Sequence, residues 1–268
     1  MKFIYFGTPD VAKETLEHLV AAGLTPSLVV TNPDAPRGRG QVLTPSAVKT
    51  YAESLSLPVL TPEKLDDDFI NEVKAIAADL AIVVAYGKIL PEALINIFPK
   101  GVLNVHYSLL PRWRGASPVE SALLNEDDVT GVTIQKMVKK LDAGDIVATV
   151  TETILSDDTT ATLRPRLIKL GADLLIDTLP KYMTGEVTPV VQDESLVTHA
   201  PKFMKTEGEL DLSGDATINW RKYQAFAISP GTYFFENGKR MKIKKARFEE
   251  GKFIVERVVP EGGTEIDY

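Results

Sequence analysis

The stretch LNVHYSLLPRWRG, residues 103 to 115, sets an asparagine and a histidine two apart at the end of an apolar run. Alternate side chains of an extended strand share a face, roughly 6–7 Å apart. Asn104 and His106 would therefore face one way, and Leu103 and Val105 the other. A carboxamide and an imidazole on one face can both donate to an oxygen that turns negative in a tetrahedral intermediate. Such an imidazole wants a carboxylate to hold it, and KKLDAGDIV, residues 139 to 147, offers Asp142 and Asp145. Asp142 precedes a glycine-containing turn after the strand GVTIQKM, whereas Asp145 sits nearer the next strand. Spacing alone does not choose between them. Rival chemistries have less support. There is no Gly-x-Ser-x-Gly elbow, and Ser108 lies two residues from His106 without a nucleophile turn. The chain has no cysteine and only three histidines. His18 falls in a predicted helix and His199 in a predicted linker, so no histidine-based metal cluster is expected.

The elements that must position these groups read as strands alternating with helices. KFIYFG is followed by DVAKETLEHLVAAG, in which Val11, Leu16, Leu19 and Val20 fall near helical spacing and Asp10 is a plausible cap. PSLVVTN, the turn-rich PDAPRGRGQVLTP, the helix-like SAVKTYAESLS, LPVLTP, NEVKAIAADL, LAIVVAYG and GVLNVHYS continue the pattern. Strands that are apolar on both faces and flanked by helices indicate a doubly wound, mostly parallel α/β sheet, with ligands at the strands' C-terminal ends. A long helix spans residues 160–185. Residues 187–206, with two prolines and few periodic apolar positions, read as a linker between an α/β domain over 1–186 and a small β-rich domain over 207–268. In that last segment ATINWRKYQAFAIS suggests a short helix. TYFFENGKRMKIKKARFEEGKFIVERVV suggests three short strands turned at Asn237-Gly238 and Glu250-Gly251.

Composition narrows the class. At 268 residues and 44% hydrophobic content the chain can bury a sizeable core, and no apolar run reaches the ~18 residues that span a bilayer. The start MKFIYFGTPD lacks a signal-peptide pattern, so a cytoplasmic monomer away from membranes is the expectation. The net charge of -7 is uneven: six of the nine residues in KRMKIKKAR, 239 to 247, are Lys or Arg. Met241 and Ile243 would face inward there, and Lys242 and Lys244 outward, as a footprint for a phosphate backbone. Pro-Arg-Gly-Arg-Gly at 36 to 40 suits a mobile segment that grips RNA on binding. Arg112 and Arg114 add cations beside Trp113, which would pack the loop.

Several motifs carry a family likeness. NVHYSLLPRWRGASP and TGVTIQKMVKKLDAGDIV resemble the signature of the 10-formyltetrahydrofolate-dependent formyltransferases. FGTPDVAKETLEHL, TNPDAPRGRGQVLTPSAVK and VVAYGKILP match, in order, the members that formylate methionine on charged initiator tRNA, over about residues 1–210. The resemblance implies a formyltransferase fold and a catalytic trio of Asn104, His106 and Asp142, choosing Asp142 over Asp145. It implies that Ser108, Leu109, Leu110 and Pro111 line the folate site and that backbone around Lys88, Ile89 and Leu90 holds the pterin. The formyl donor would be 10-formyltetrahydrofolate as cosubstrate, with no metal. It also implies that the glycine-rich loop enters the acceptor stem, with Arg39 and then Arg37 as tRNA contacts. Lys242 and Lys244 would add to them from a C-terminal domain that resembles a shortened OB fold, lacking internal strands. A sister activity on an amino-sugar nucleotide would share the trio and the folate slot, but would need neither the basic strand nor the Arg-rich loop. A non-enzymatic binder fits less well because the whole trio is present, and the cationic rim argues against a formyl-folate hydrolase.

Overall fold

The computed structural model describes residues 1–38 and 40–268, and of Arg37 the main chain alone. The chain divides into two compact units. The first comprises Met1–Arg114, Gly131–Thr151 and Leu167–Val197, and the second Gly115–Thr130, Glu152–Arg166 and Thr198–Tyr268.

The first unit is built on a seven-stranded sheet in the order Ile146–Thr153, Val129–Lys136, Val102–His106, Leu80–Val84, Phe3–Gly7, Leu28–Val30, Val59–Leu60. Phe3–Gly7 lies parallel to both of its neighbours, and Leu80–Val84 is parallel to Val102–His106. Val129–Lys136 runs antiparallel to Val102–His106. Every residue of Phe3–Gly7 and Leu80–Val84 is buried, as expected of strands covered on both faces. Ile4, Phe6, Ala81, Val83 and Val102 share one face and pack with Phe69, Ile70 and Val73 of the helix Asp67–Ala75 and with Leu94 and Ile95. On the other face Gly171 of the long helix Thr160–Thr184 brings its backbone against Val132 and Val105: an added Cβ would stand 3.1 and 3.2 Å from their methyls. The turn-rich stretch after the second strand holds a hairpin, Ala35–Arg37 with Val42–Thr44. Three-residue strands, one containing Pro36, carry too short an alternation to be read from sequence.

The second unit holds an antiparallel sheet in the order Tyr233–Glu236, Lys239–Glu249, Lys252–Pro260, Ile266–Asp267. The expected turns occur at Asn237-Gly238 and Glu250-Gly251, with φ of 50°, 75°, 49° and 74°. These left-handed pairs suit two-residue hairpin loops. Two of the strands are longer than anticipated, 11 and 9 residues, and a fourth is present. Ile266–Asp267 is too short to show a period. The core of this unit is Leu210, Phe234, Met241, Ile243, Ala246, Val255 and Val258, with Tyr223 and Phe253 against it. Trp220 and Tyr223 come from the helix Ala216–Ala225, whose first turn is capped by Asp215 accepting from Thr217 and Ile218 N–H. Phe248 stacks on Trp220 at 6.1 Å while staying partly exposed, and Phe235 lies on the outer face, 55% exposed.

The same helix also packs against Pro118–Leu124. Gln224 Nε2 donates to the carbonyls of Ser156 and Asp158 at 3.0 and 2.8 Å, and Arg221 pairs with Glu126. The short sheet thus builds its unit with two segments from the first 166 residues.

Candidate active site

Val102–His106 ends where the first unit's polar groups converge. Val102, Leu103 and Val105 are buried, whereas Asn104 and His106 put polar side chains on one face of the strand's C-terminal half. Asn104 lies opposite Gln135 in the antiparallel register, and His106 opposite Thr133. His106 is 6% exposed. Its Nε2 is 2.8 Å from the Trp113 carbonyl, an oxygen that can only accept, so Nε2 carries the proton of that bond. Nδ1 then faces Asp142 Oδ2 at 3.7 Å, an ion-pair distance beyond hydrogen-bond length. The other carboxylate oxygen, Oδ1, accepts from Gln135 Nε2 at 2.8 Å. The Asn104 carboxamide makes no hydrogen bond to the other described residues, which leaves it available to a ligand.

Of the two aspartates, Asp142 is the one paired with the imidazole. Asp142 turns its carboxylate to the imidazole from a left-handed backbone, φ 48°. The Asp145 carbonyl accepts from Lys136 N–H and so belongs to the sheet edge. Gly144 between them is compelled by close approach, since an added Cβ would stand 1.5 Å from the Lys136 carbonyl oxygen.

The loop after His106 is held from within. Ser108 is fully buried: its Oγ donates to the Arg112 carbonyl at 2.6 Å, and its carbonyl accepts from Thr133 Oγ1 at 2.7 Å. Thr133 Oγ1 accepts in turn from Leu110 N–H at 3.1 Å. Leu110 is buried, Leu109 and Pro111 half-buried. The Arg112 guanidinium stacks over the Trp113 ring at 5.2 Å, so the tryptophan packs its own loop. At the end of the neighbouring strand Leu80–Val84, Lys88 Nζ donates to the carbonyls of Pro62 and Glu63 at 2.6 and 2.9 Å, and Leu90 joins the core. Ile89 stands 89% exposed, an apolar side chain at the mouth of the strand ends. Burial pushes the Tyr86 hydroxyl up to about 12.

Residues 1–179 match the family model described as "Formyl transferase", and residues 202–264 match "Formyl transferase, C-terminal domain". The chain belongs to the formyl transferase family. It is 43% identical over 273 residues to a protein of Dictyoglomus thermophilum named methionyl-tRNA formyltransferase, covering all of this chain and 85% of that one. Among solved structures it is similar to a sugar N-formyltransferase from Shewanella sp. (TM-score 0.70, 17% identity, 91% of this chain and 97% of that one). It is also similar to HypX from Aquifex aeolicus in complex with tetrahydrofolic acid (TM-score 0.69, 15% identity, 100% of this chain and 46% of that one). At these identities the structures show a shared formyltransferase fold and no more.

Within this family frame, the remaining expected site residues fall in three places. Asn104, His106 and Asp142 come together on one side of Val102–His106, with residues 108–111 in the loop that follows it and residues 88–90 in the loop after the adjacent strand Leu80–Val84. Lys242 and Lys244 are exposed on Lys239–Glu249 in the second unit, alternating with the buried Met241 and Ile243. Arg37 closes one strand of the hairpin, and Arg39 lies outside the described residues. Among the described residues no group of three or more His, Asp or Glu is arranged to hold a metal. No helix of the described residues is long and apolar enough to cross a membrane.

Two side chains at the site were not anticipated, Gln135 and Gln192, and Arg114, expected as a cation on the rim, is instead buried against Gln192. Gln135 had a signal, as a polar residue midway along the apolar GVTIQKM on the face of Asn104. Gln192 had none, since it sits in the stretch read as linker.

Proposed function

We propose that this chain transfers the formyl group of 10-formyltetrahydrofolate to the α-amino group of methionine on charged initiator tRNA, in the cytoplasm, as part of translation initiation. The observation that carries the reading is the likeness of the whole chain to relatives named for that reaction. The strand-end geometry supplies compatible chemistry. An unpartnered carboxamide, a buried imidazole and an exposed apolar side chain at one rim suit a flat heterocycle bearing a polar formyl group.

Bound formyl-folate would supply the electrophilic carbon. Asn104 donates to the formyl oxygen as negative charge develops there, and His106 adds a second donor, each such preorganised group being worth about 3–4 kcal/mol. For this His106 Nε2–H must turn from, or share, the Trp113 carbonyl. Asp142 holds Nδ1 and helps to pass the proton that leaves the attacking amine to the folate N10, whose bond to the formyl carbon breaks as the new amide bond forms. Gln135, by donating to Oδ1, keeps Oδ2 for the imidazole. Arg37, Arg39, Lys242 and Lys244 are assigned to the tRNA, and Ser108–Pro111 with Lys88–Leu90 to the folate. Because Ser108 and Lys88 commit their side chains to protein carbonyls, those two contribute through backbone and loop shape. The protein is taken to act as a monomer.

The test is a formyl-transfer assay on charged initiator tRNA, run beside an amino-sugar nucleotide. Transfer to the tRNA is expected. Transfer to the sugar nucleotide alone would replace the reading with the sister activity.

A further inference from the structure

Gln192 uses the whole of its side chain. Its Nε2 donates to the carbonyls of Asp142 and Gly144 at 2.9 and 2.7 Å. Its Oε1 accepts from Arg114 Nε and Nη2 at 3.0 and 2.7 Å. Both side chains are deeply buried, 5% and 2% exposed. The segment carrying Gln192 is anchored next door, where Val190 and Ile146 exchange backbone hydrogen bonds of 2.8 Å in both directions. Arg114 Nη2 also donates to Glu194 Oε1 at 2.8 Å.

These contacts bear on the two neighbours of His106. Arg114 follows Trp113, whose carbonyl takes the Nε2 proton, and Gln192 grips the turn whose aspartate faces Nδ1. Asp142 in that turn is left-handed at φ 48°, a conformation a non-glycine residue keeps where its surroundings impose it. The Nδ1 to Oδ2 gap of 3.7 Å is also where a few tenths of an ångström decide whether a hydrogen bond forms.

We infer that Gln192, clamped by Arg114, is a positioning residue for formyl transfer: it sets the Asp142 turn and ties it to the loop that holds His106. The inference rests on the assignment of Asn104, His106 and Asp142 to the reaction. The stretch after the long helix is then part of the active site's support as well as a connection.

Gln192→Glu tests it selectively. A carboxylate keeps, and strengthens, the pairing with Arg114 but cannot donate to the carbonyls of Asp142 and Gly144. The expected result is a fall in kcat of about tenfold or more, the range seen when groups supporting a site are removed. KM for formyl-folate and for charged tRNA should stay within about twofold, with a cooperative melt retained. Gln192→Met, which fills the same space without donors, should fall likewise and carries the test if the first variant does not fold. Independently of activity, the His106 ring nitrogen resonances should move in either variant, read without substrate. A folded variant with wild-type kcat and unmoved ring resonances overturns the inference. Because the resonances need no substrate, they test the positioning even if the wild-type protein transferred formyl to a different amine.

Discussion

The two sheets bury their side chains in opposite ways. Phe3–Gly7 and Leu80–Val84 are buried at every position, whereas along Lys239–Glu249 the buried Met241 and Ile243 alternate with exposed cations. A strand covered on both faces leaves few side chains to meet a ligand, and in Val102–His106 the polar ones, Asn104 and His106, stand in the C-terminal half. A strand covered on one face offers a row of polar groups along its length. The first architecture makes a point of chemistry, and the second makes a stripe of charge. Damage to the first should appear in rate, and damage to the second in salt-dependent binding.

The largest effect expected concerns whether the second sheet is a folding unit at all. The fragment 207–268 lacks Gly115–Thr130 and Glu152–Arg166, which belong to the same compact unit. So small a piece buries too little apolar surface to fold alone. It should be largely unfolded by far-UV circular dichroism, and a cooperative monomeric melt would show that the sheet needs neither segment. Conversely, in residues 1–206 the helix Pro118–Leu124 loses its partner Ala216–Ala225. Amide exchange should therefore rise over 118–124 and stay slow in Phe3–Gly7 and Leu80–Val84. That truncated chain should bind formyl-folate but formylate charged tRNA much more slowly.

Next come the strand-end residues. Asn104→Ala, His106→Ala and Asp142→Ala should each lower the transfer rate by about a hundredfold or more, with folate affinity little changed. A variant with near-normal turnover would remove that residue from the mechanism. Gln135→Ala, which removes the hydrogen bond to Asp142 Oδ1, should cost less, about tenfold, because its action passes through the aspartate.

What the sequence could convey follows the same division. The both-face apolar runs name their strands directly, and the polar pair at the end of one of them marks the site. Spacing left Asp142 and Asp145 both open and the family resemblance singled out Asp142; the left-handed turn that faces it to the imidazole is encoded in no periodicity. Gln192 reaches Asp142 across 50 positions, and such a contact leaves no trace in local pattern. Boundaries drawn from texture at residues 186 and 206 likewise do not register that Pro118–Leu124 joins the second unit. Its buried Val119, Ala122 and Leu123 read like any helix face. Residue type alone groups Phe235 with the core, whereas the alternation of its strand turns it outward.

A smaller effect probes the charge stripe. Neutralising Lys242 and Lys244 together should weaken tRNA binding and reduce the slope of log affinity against log salt by about 2, roughly one for each phosphate that no longer meets a lysine. The maximal transfer rate at saturating tRNA should hold. An unchanged slope would make Lys239–Glu249 an ordinary solvated face and leave the tRNA to the hairpin loop.

The smallest effect compares one carboxylate from each unit. Glu194 is held down to about 2 by hydrogen bonds from Arg114 and then Lys140. Glu256 is also lowered, by Lys245 and then Arg247. In both, the folded value lies below the unfolded one. Each therefore contributes stability above the ordinary carboxylate range, and loses it as pH falls through the folded value. Both carboxylates are accessible to water and screened, so the change in stability should be slight. The difference lies in what each pair holds. Lys245, Arg247 and Glu256 tie two neighbouring strands, so Glu256→Gln should trim acid stability alone. Arg114 holds Gln192, so Glu194→Gln should trim stability in the same window, between about 4.5 and 2, and also lower the transfer rate modestly near neutrality. Acid titrations of the two variants beside their rates at neutral pH check this. Equal rates in both would mean that Arg114 keeps its place without Glu194, and that the clamp on Gln192 is set by burial alone.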